Sequence, residues 1–389
     1  MSAAEFLLGP PAAIPLRLTG RSTRMTALLG GQNSTTSTLA EVEQLAARYR
    51  VPVEDALLIA VNLYGIDSDL PRHRARVRVR LASAPSVPWQ LIVPLNAFGS
   101  PFRLRDGQLT LGGGLVGTVE RIDADEAVGG YFRDGGAALT LNPNARSRCV
   151  GCAFCPNTLE AAADPRLSEE RDLRELFAAL REQHPRHDLT ELREVTVSTG
   201  CFERESAAVH HLRTLRAVLA EQGVEARIGF LTSVLASRKA FEELAADVTP
   251  FILRLTAECF TRRDLLLKAS KAALVASEMP GALSRALAAG HGTSFTYIVG
   301  LDSLEALHAG VGSLAPYVTE FPNFQVYQAH NSVMAGLRAP GAQDLEHYLQ
   351  ARVVIEDIMG PSGLRPAAWE CYRPLWYFTF AGEPLAGVR

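Results

Sequence analysis

Lysine is almost missing from this chain: Lys239, Lys268 and Lys271 are the only three in 389 residues, beside abundant arginine and alanine. A GC-rich genome explains that bias. Long hydrophobic runs are missing as well. The N-terminal stretch EFLLGPPAAIPLRL is too short and too broken by proline to span a bilayer, and it lacks the basic start and cleavage pattern of a signal peptide. A cytoplasmic location without a membrane partner is therefore expected, and a reducing compartment suits unpaired thiols. Net positive charge is absent too. At a formal −3 the chain has no global attraction to nucleic acid. What is present, 47% hydrophobic residues over this length, suffices for a large core and two or three structural units.

The six cysteines are unevenly spread, and three of them, Cys149, Cys152 and Cys155, form a C-x2-C-x2-C run in NARSRCVGCAFCPN. Three thiolates this close are best explained as ligands of a soft metal centre. The missing fourth is the informative part. Closed structural zinc sites and ferredoxin clusters want four protein ligands, and the bacterial ferredoxin spacing would put the next cysteine where Leu159 stands. A [4Fe–4S] cluster held by three cysteines keeps one iron open for a substrate or cofactor. The competing reading is a zinc knuckle or an ordinary cluster completed by Cys201, Cys259 or Cys371.

From AALTLNP onward, short apolar runs alternate with amphipathic stretches, the pattern of βα units. Strands are predicted over 137–141, 192–198, 226–231, 251–256, 294–299 and 323–328. Helices are predicted over 168–183, 206–222 closed by Gly223, 237–247, 262–289 interrupted at Pro280-Gly281, 303–317 and 343–359. Ser168 reads as an N-cap, with Glu169 and Glu170 in the first turn where the helix dipole favours them. The expected fold class is α/β, a partial (βα)6 TIM-like barrel.

On the cysteine run and this strand order, residues of about 135 to 335 resemble the core domain of the radical S-adenosylmethionine (SAM) superfamily. There the cluster cysteines follow the first strand with a usual spacing of C-x3-C-x2-C and an aromatic residue before the last. Here CAFC with Phe154 matches, and the first gap is one residue short. Three further strand ends resemble family motifs, and parallel α/β barrels place their chemistry at such ends. STGCFERE resembles the Gly-Gly-Glu stretch that holds the SAM amino group, with Gly200 and Glu203 matching and Cys201 replacing the second glycine. LRLTAECF offers Glu258 for the SAM ribose, its plainer reading being a surface ion pair. YIVGLDSLE resembles the stretch beside adenine through Ile298, Val299 and Gly300, with the first glycine and last glutamate out of register.

The resemblance implies a radical SAM enzyme. SAM binds the open iron of a [4Fe–4S] cluster, and one electron from an external flavodoxin- or ferredoxin-type reductant cleaves its C5′–S bond. The 5′-deoxyadenosyl radical then abstracts hydrogen from the substrate, here expected to be a small polar metabolite. Peptide or RNA modification is the alternative within enzymes, and a non-catalytic electron carrier or structural metal module the alternative outside them. A lone carrier has no need of six βα units. No lysine lies beyond Lys271, so pyridoxal phosphate (PLP) is not expected, and no D-x-H-x-x-G stretch points to cobalamin. With only Cys371 beyond Leu337, a complete all-protein auxiliary cluster in the tail is excluded by counting. Cys201, beside the expected SAM site, is the candidate catalytic hydrogen-atom donor, with inert packing as its plainer role and that of Cys259 and Cys371.

Four regions are expected: a flexible segment over 1–38 containing GGQNSTTST, an α+β accessory domain over 39–130, the radical SAM barrel over 131–336, and a C-terminal helix with an aromatic extension over 337–389. Helices are predicted over 39–49 and 53–64. RARVRVRL alternates Arg74, Arg76, Arg78 and Arg80 with apolar residues, reading as a solvated, charge-protected edge strand or as an anion-binding face. Asp106-Gly107 signals a hairpin, and Gly112 to Gly114 a loop without the lysine of a phosphate cradle. Trp369, Tyr372, Trp376, Tyr377, Phe378 and Phe380 read as packing that closes an open barrel. His330 and Asn331 stand at a strand end within reach of substrate, whereas His210-His211 reads as ordinary helix packing.

Overall fold

Thr38 starts the first helix by a reciprocal capping box with Glu41, and the helix runs over Leu39–Tyr49. The structure is a computed structural model that describes residues 36–96, 99–124, 130–141, 151–155, 170–184, 186–198, 202–367, 370–371 and 373–386. Val53–Tyr64 forms the second helix, and its face packs under a five-stranded antiparallel sheet of order β2-β1-β5-β4-β3. These strands are β1 (Arg74–Leu81), β2 (Pro88–Pro94), β3 (Phe102–Arg105), β4 (Gln108–Leu111) and β5 (Gly114–Ala124). The alternation in β1 is as expected, with Ala75, Val77 and Val79 fully buried and the arginines facing the other way. Its position is not. β1 pairs with β2 on one side and β5 on the other, so it is central, and the edge-strand reading is corrected. Charge alternation marks a half-buried strand, central or edge alike. Arg105 opposes Gln108 across Asp106 and Gly107, both at positive φ, which is the two-residue hairpin that Asp-Gly favours.

The second sheet has seven strands in the order β12-β11-β10-β9-β8-β7-β6. β6 (Gly130–Arg133) runs antiparallel to β7 (Ala138–Leu141). From β7 onward β8 (Glu194–Ser198), β9 (Arg227–Thr232), β10 (Phe251–Glu258), β11 (Gly292–Val299) and β12 (Asn323–Val326) are parallel, in chain order, with helical crossovers. The six expected strands are therefore all found. Helices Glu205–Glu221, Arg238–Asp247 and Leu304–Leu314 follow β8, β9 and β11, the last two capped by Ser237 and Ser303.

The long helix expected over 262–289 is instead four pieces, Arg263–Leu266, Ala269–Ala272, a 3-10 turn Ala276–Glu278, and Met279–Ala288. Leu267 and Val275 are extended, and Pro280 sits in the first turn of the last piece. There the missing N–H is harmless, so Pro280 begins a helix where it was expected to interrupt one.

Each parallel strand shows two chemically different faces. Val195, Val197, Phe230, Leu253, Leu255, Phe295 and Tyr297 are buried on one face, while Glu194, Thr196, Arg254, Thr256, Ser294 and Thr296 occupy the alternate positions. The polar face carries an ion network. Arg254 bonds Glu194 at 3.0 Å, Glu320 at 3.2 Å and Glu370 at 2.7 Å, and Arg227 joins Glu194 to Glu320. Such convergence across several strands requires the sheet to curl around its polar side. Glu370 comes from the tail, which runs beside β12: Val326 N–H donates to Arg373 O at 2.8 Å, and Trp376 packs on Phe321 and Phe324. Of the described tail aromatics, Trp376 and Phe380 thus pack at the β12 side of the half-barrel and Tyr377 and Phe378 on Trp89 of β2, while Trp369 and Tyr372 lie outside the described residues.

Asp55 fastens the remaining elements. Its carboxylate accepts from the Tyr377 and Phe378 N–H groups, each at 2.8 Å, and from Arg352 of helix Leu345–Met359 at 2.7 Å. Gln328 donates to Asn62 at 3.0 Å and to Ile92 O at 2.7 Å, tying the chain beyond β12 to the N-terminal helix and sheet. No helix among the described residues is long and apolar enough to cross a membrane.

Candidate active site at the strand ends

The described part of the cysteine run, residues 151–155, lies on the segment that follows β10. Gly151 has φ 106°, and a Cβ there would meet the Lys268 side chain at 3.0 Å, so glycine permits the close approach. Ala153 N–H donates to Leu266 O at 2.9 Å, and Lys268 N–H donates to Cys152 Sγ at 3.5 Å. Cys152 and Phe154 are buried in one apolar cluster with Cys259, Leu266, Leu267, Ile298, Leu301, Tyr327, Ala329 and Met334, and partly buried Cys155 packs against it. Residues of the first, fourth, fifth and sixth parallel βα units thus meet at the carboxyl ends of their strands.

A buried sulfur that accepts a backbone N–H inside an apolar shell is a fitting environment for a cluster ligand, because such bonds and burial set cluster potentials. Cys149, Gly200 and Cys201 lie outside the described residues. Among the described residues no group of three or more His, Cys, Asp or Glu side chains is placed to hold a metal ion. Two candidates for a fourth ligand sit in unhelpful surroundings. Burial pushes both Cys259 and Cys371 up to about 12, the first also facing Asp302, so each is a neutral packing thiol as it stands.

Glu203 is exposed in the turn between β8 and the next helix. Its neighbour Glu205 is committed elsewhere, accepting from Ala236 and Ser237 N–H at 2.8 Å each and so bracing the start of the following helix. Glu258, at the end of β10, has φ 61° where the register with β11 shifts, and its carboxylate meets Lys271 at 2.9 Å. Both side chains are only 12% exposed, so the pair is inside the mouth; the surface-pair reading is corrected. A non-glycine residue in this backbone region needs support from its surroundings. Arg263 supplies it, donating to the carbonyls of Ala257 and Cys259 on either side.

Ile298 faces the cysteines, while Val299, next along the strand, points to the opposite face and is fully buried. The Val299 and Gly300 carbonyls accept from Tyr327 and Ala339 N–H, both at 2.9 Å. Gly300 has φ 108° and closely approaches the Tyr348 hydroxyl, so glycine is required there by the backbone itself. Asp302 is the residue that motif reading missed. Its carboxylate accepts from Phe260 N–H at 2.7 Å, Thr261 N–H at 3.0 Å and the Tyr297 hydroxyl at 2.9 Å, locking the ends of β10 and β11 together. An acid directly after a strand-ending Gly-Leu was the available signal. Asn331 caps helix Ser332–Ala335 through Met334 N–H, whereas His330 is buried with Nδ1 on His73 O at 3.4 Å. His211 is buried and His210 exposed.

No family model matches the chain, and no curated protein matches it either. Among solved structures it is similar to HydG, a maturase of the FeFe-hydrogenase, at 13% identity and TM-score 0.42 over 57% of this chain and 49% of that one. HydG from Carboxydothermus hydrogenoformans gives 19% identity and TM-score 0.39 over 58% and 51%. The radical S-adenosylmethionine methyltransferase TsrM from Kitasatospora setae, solved with cobalamin and a [4Fe–4S] cluster, gives 12% and 0.33 over 46% and 34%. The chain spans about half of HydG or less of TsrM, and these likenesses are loose.

Proposed function

We propose that this protein is a radical SAM enzyme whose cluster is held by Cys149, Cys152 and Cys155 and whose substrate is a small polar metabolite. The reading is carried by one observation: Cys152 and Phe154, from the loop after the first parallel strand, are buried against Ile298 of the fifth, with Lys268 N–H on the Cys152 sulfur. When bound, the cluster and SAM together supply a carbon-centred radical for hydrogen abstraction. The chain's own residues bind and orient. Glu203 is exposed after the second strand, bonded to no other described residue, and suits the SAM ammonium, since Glu205 is engaged in capping. Ile298 and Phe154 provide apolar walls that exclude water, and Glu258, held by Lys271, is the acceptor for the ribose. Cys201 is kept as the candidate hydrogen-atom donor, and a flavodoxin- or ferredoxin-type protein as the electron source.

The test is anaerobic incubation of reconstituted full-length protein with SAM and a one-electron reductant. Reductant-dependent 5′-deoxyadenosine is expected, with none from Cys152→Ala or Cys155→Ala. Equal formation by those variants would contradict the proposal.

A further inference from the structure

Arg373 is a cation of the site that no carboxylate among the described residues balances. The tail places it beside β12, where its Nε and Nη2 both donate to Gln325 Oε1, at 2.9 and 2.6 Å. Gln325 pairs in register with Ile298, and aligned residues of neighbouring parallel strands project to the same face. The guanidinium therefore stands next to the apolar cluster that contains Cys152. Among the described residues no carboxylate bonds to it: Glu370 is taken by Arg254 and Glu258 by Lys271. A partly buried guanidinium satisfied only by a neutral amide oxygen is an open charge, which protein interiors seldom tolerate without an anion. Two of its donors face Gln325, and the fork between Nη1 and Nη2 is the edge that suits a carboxylate in bidentate fashion.

His330 lies just beyond the same strand and is 9% exposed. Its Nδ1 meets a carbonyl, which can only accept, so Nδ1 carries the proton and Nε2 is an acceptor. Among the described residues that Nε2 is buried without a hydrogen-bond partner. Burial first, then the charges of Arg74 and also Arg373, push the His330 pKa down to about 3, so the ring is neutral and Nε2 accepts throughout the physiological range. Arg74, the first residue of the basic face of β1, thus stands near both His330 and Arg373.

Resting on the radical SAM reading but deepening it, we propose that Arg373 and His330 form the substrate-recognition site, taking a small carboxylic acid with a hydrogen-bond donor beside the carboxylate. The class is that of 2-amino and 2-hydroxy acids: the carboxylate lies on the Arg373 fork and the adjacent ammonium or hydroxyl donates to His330 Nε2. The planar fork of Arg373 matches a carboxylate in bidentate fashion, which favours carboxylate over phosphate.

The test uses the full-length protein and thermal-shift titration with a fixed panel: the standard L-amino acids, L-lactate and L-malate, propionate, the amino-acid methyl esters, and inorganic phosphate. At least one 2-amino or 2-hydroxy acid should stabilise the protein while its ester does not. Arg373→Gln should weaken that binding about 10- to 100-fold, as loss of a charge-assisted pair implies. Arg373→Lys should fall between, and His330→Leu should erase the preference for the acid over propionate. Iron content and circular dichroism establish that each variant is folded; if Arg373→Gln is not, the Lys and His330 variants decide. Binding by no acid of the panel, equal binding of acid and ester, unchanged binding in the variants, or stronger Arg373-dependent binding of phosphate would each overturn the proposal. Thermal shift needs no turnover, so wild type that binds the acid but cleaves no SAM would sink the radical SAM reading and leave this site standing.

Discussion

Glu203 and Glu205 are two residues apart and have opposite circumstances, which makes them a sharp pair for mutation. Glu203 is exposed, whereas Glu205 accepts two backbone N–H groups at the head of the next helix. Glu203→Gln is expected to weaken SAM affinity by about 1.5–3 kcal/mol, the worth of a hydrogen bond to a charged group, with stability unchanged. Glu205→Gln should do the reverse, lowering stability by about 1 kcal/mol and leaving SAM affinity alone. Calorimetric SAM titration and urea unfolding of both variants check this, and an exchange of the two effects would put the contact at Glu205. Gly300→Ala forces a Cβ into positive φ against the Tyr348 hydroxyl and should destabilise by about 1–3 kcal/mol in the same unfolding assay. Motif spacing pointed to Glu203 and Gly300. It passed over Asp302, although the acid after Gly300-Leu301 was a local signal, and it could not show Arg373, whose partner Gln325 lies on a strand distant in sequence.

At the scale of elements, the six parallel strands were legible because each is a short apolar run ended by turn residues, and β6 was not, because GYFR is four residues long and lies among glycines. One charge inside an otherwise apolar strand was the overlooked signal: Arg254 in FILRLTAE marks the polar face of the half-barrel. Its network predicts acid sensitivity. Burial works to raise the Glu194 pKa, but Arg254, Thr196 and Arg227 outweigh it and hold the value at about 2, below the ordinary 4.5. A depressed carboxylate contributes fully above its unfolded pKa and loses that contribution as pH falls toward the folded one. Stability should therefore drop between about pH 5 and pH 2, by on the order of 3 kcal/mol from this group. Urea midpoints across that range should show a shallower slope for Glu194→Gln, which will be less stable at pH 7 because Arg254 and Arg227 lose a buried partner. Equal slopes would place the acid sensitivity elsewhere. Gly229 keeps this network compact, since a Cβ there would lie 3.2 Å from Arg254, Glu194 and Thr196.

For the whole molecule, the half-barrel, the N-terminal sheet and the tail are bound together through Asp55, Gln328 and Glu370, so the mouth is assembled from distant parts of the chain. The order of strands and the cysteine loop could be read in advance; how the tail enters the polar face could not, because it depends on long-range packing of Trp376 and Tyr377. The central claim is the three-cysteine cluster beside that mouth. Metal analysis of the anaerobically reconstituted full-length protein tests it most directly. About four irons per chain with a [4Fe–4S] spectrum, lost together in the Ala variants of Cys149, Cys152 and Cys155 and retained in those of Cys259 and Cys371, is the predicted result. Zinc at one per chain without iron uptake, or a cluster that needs Cys259 or Cys371, would contradict it.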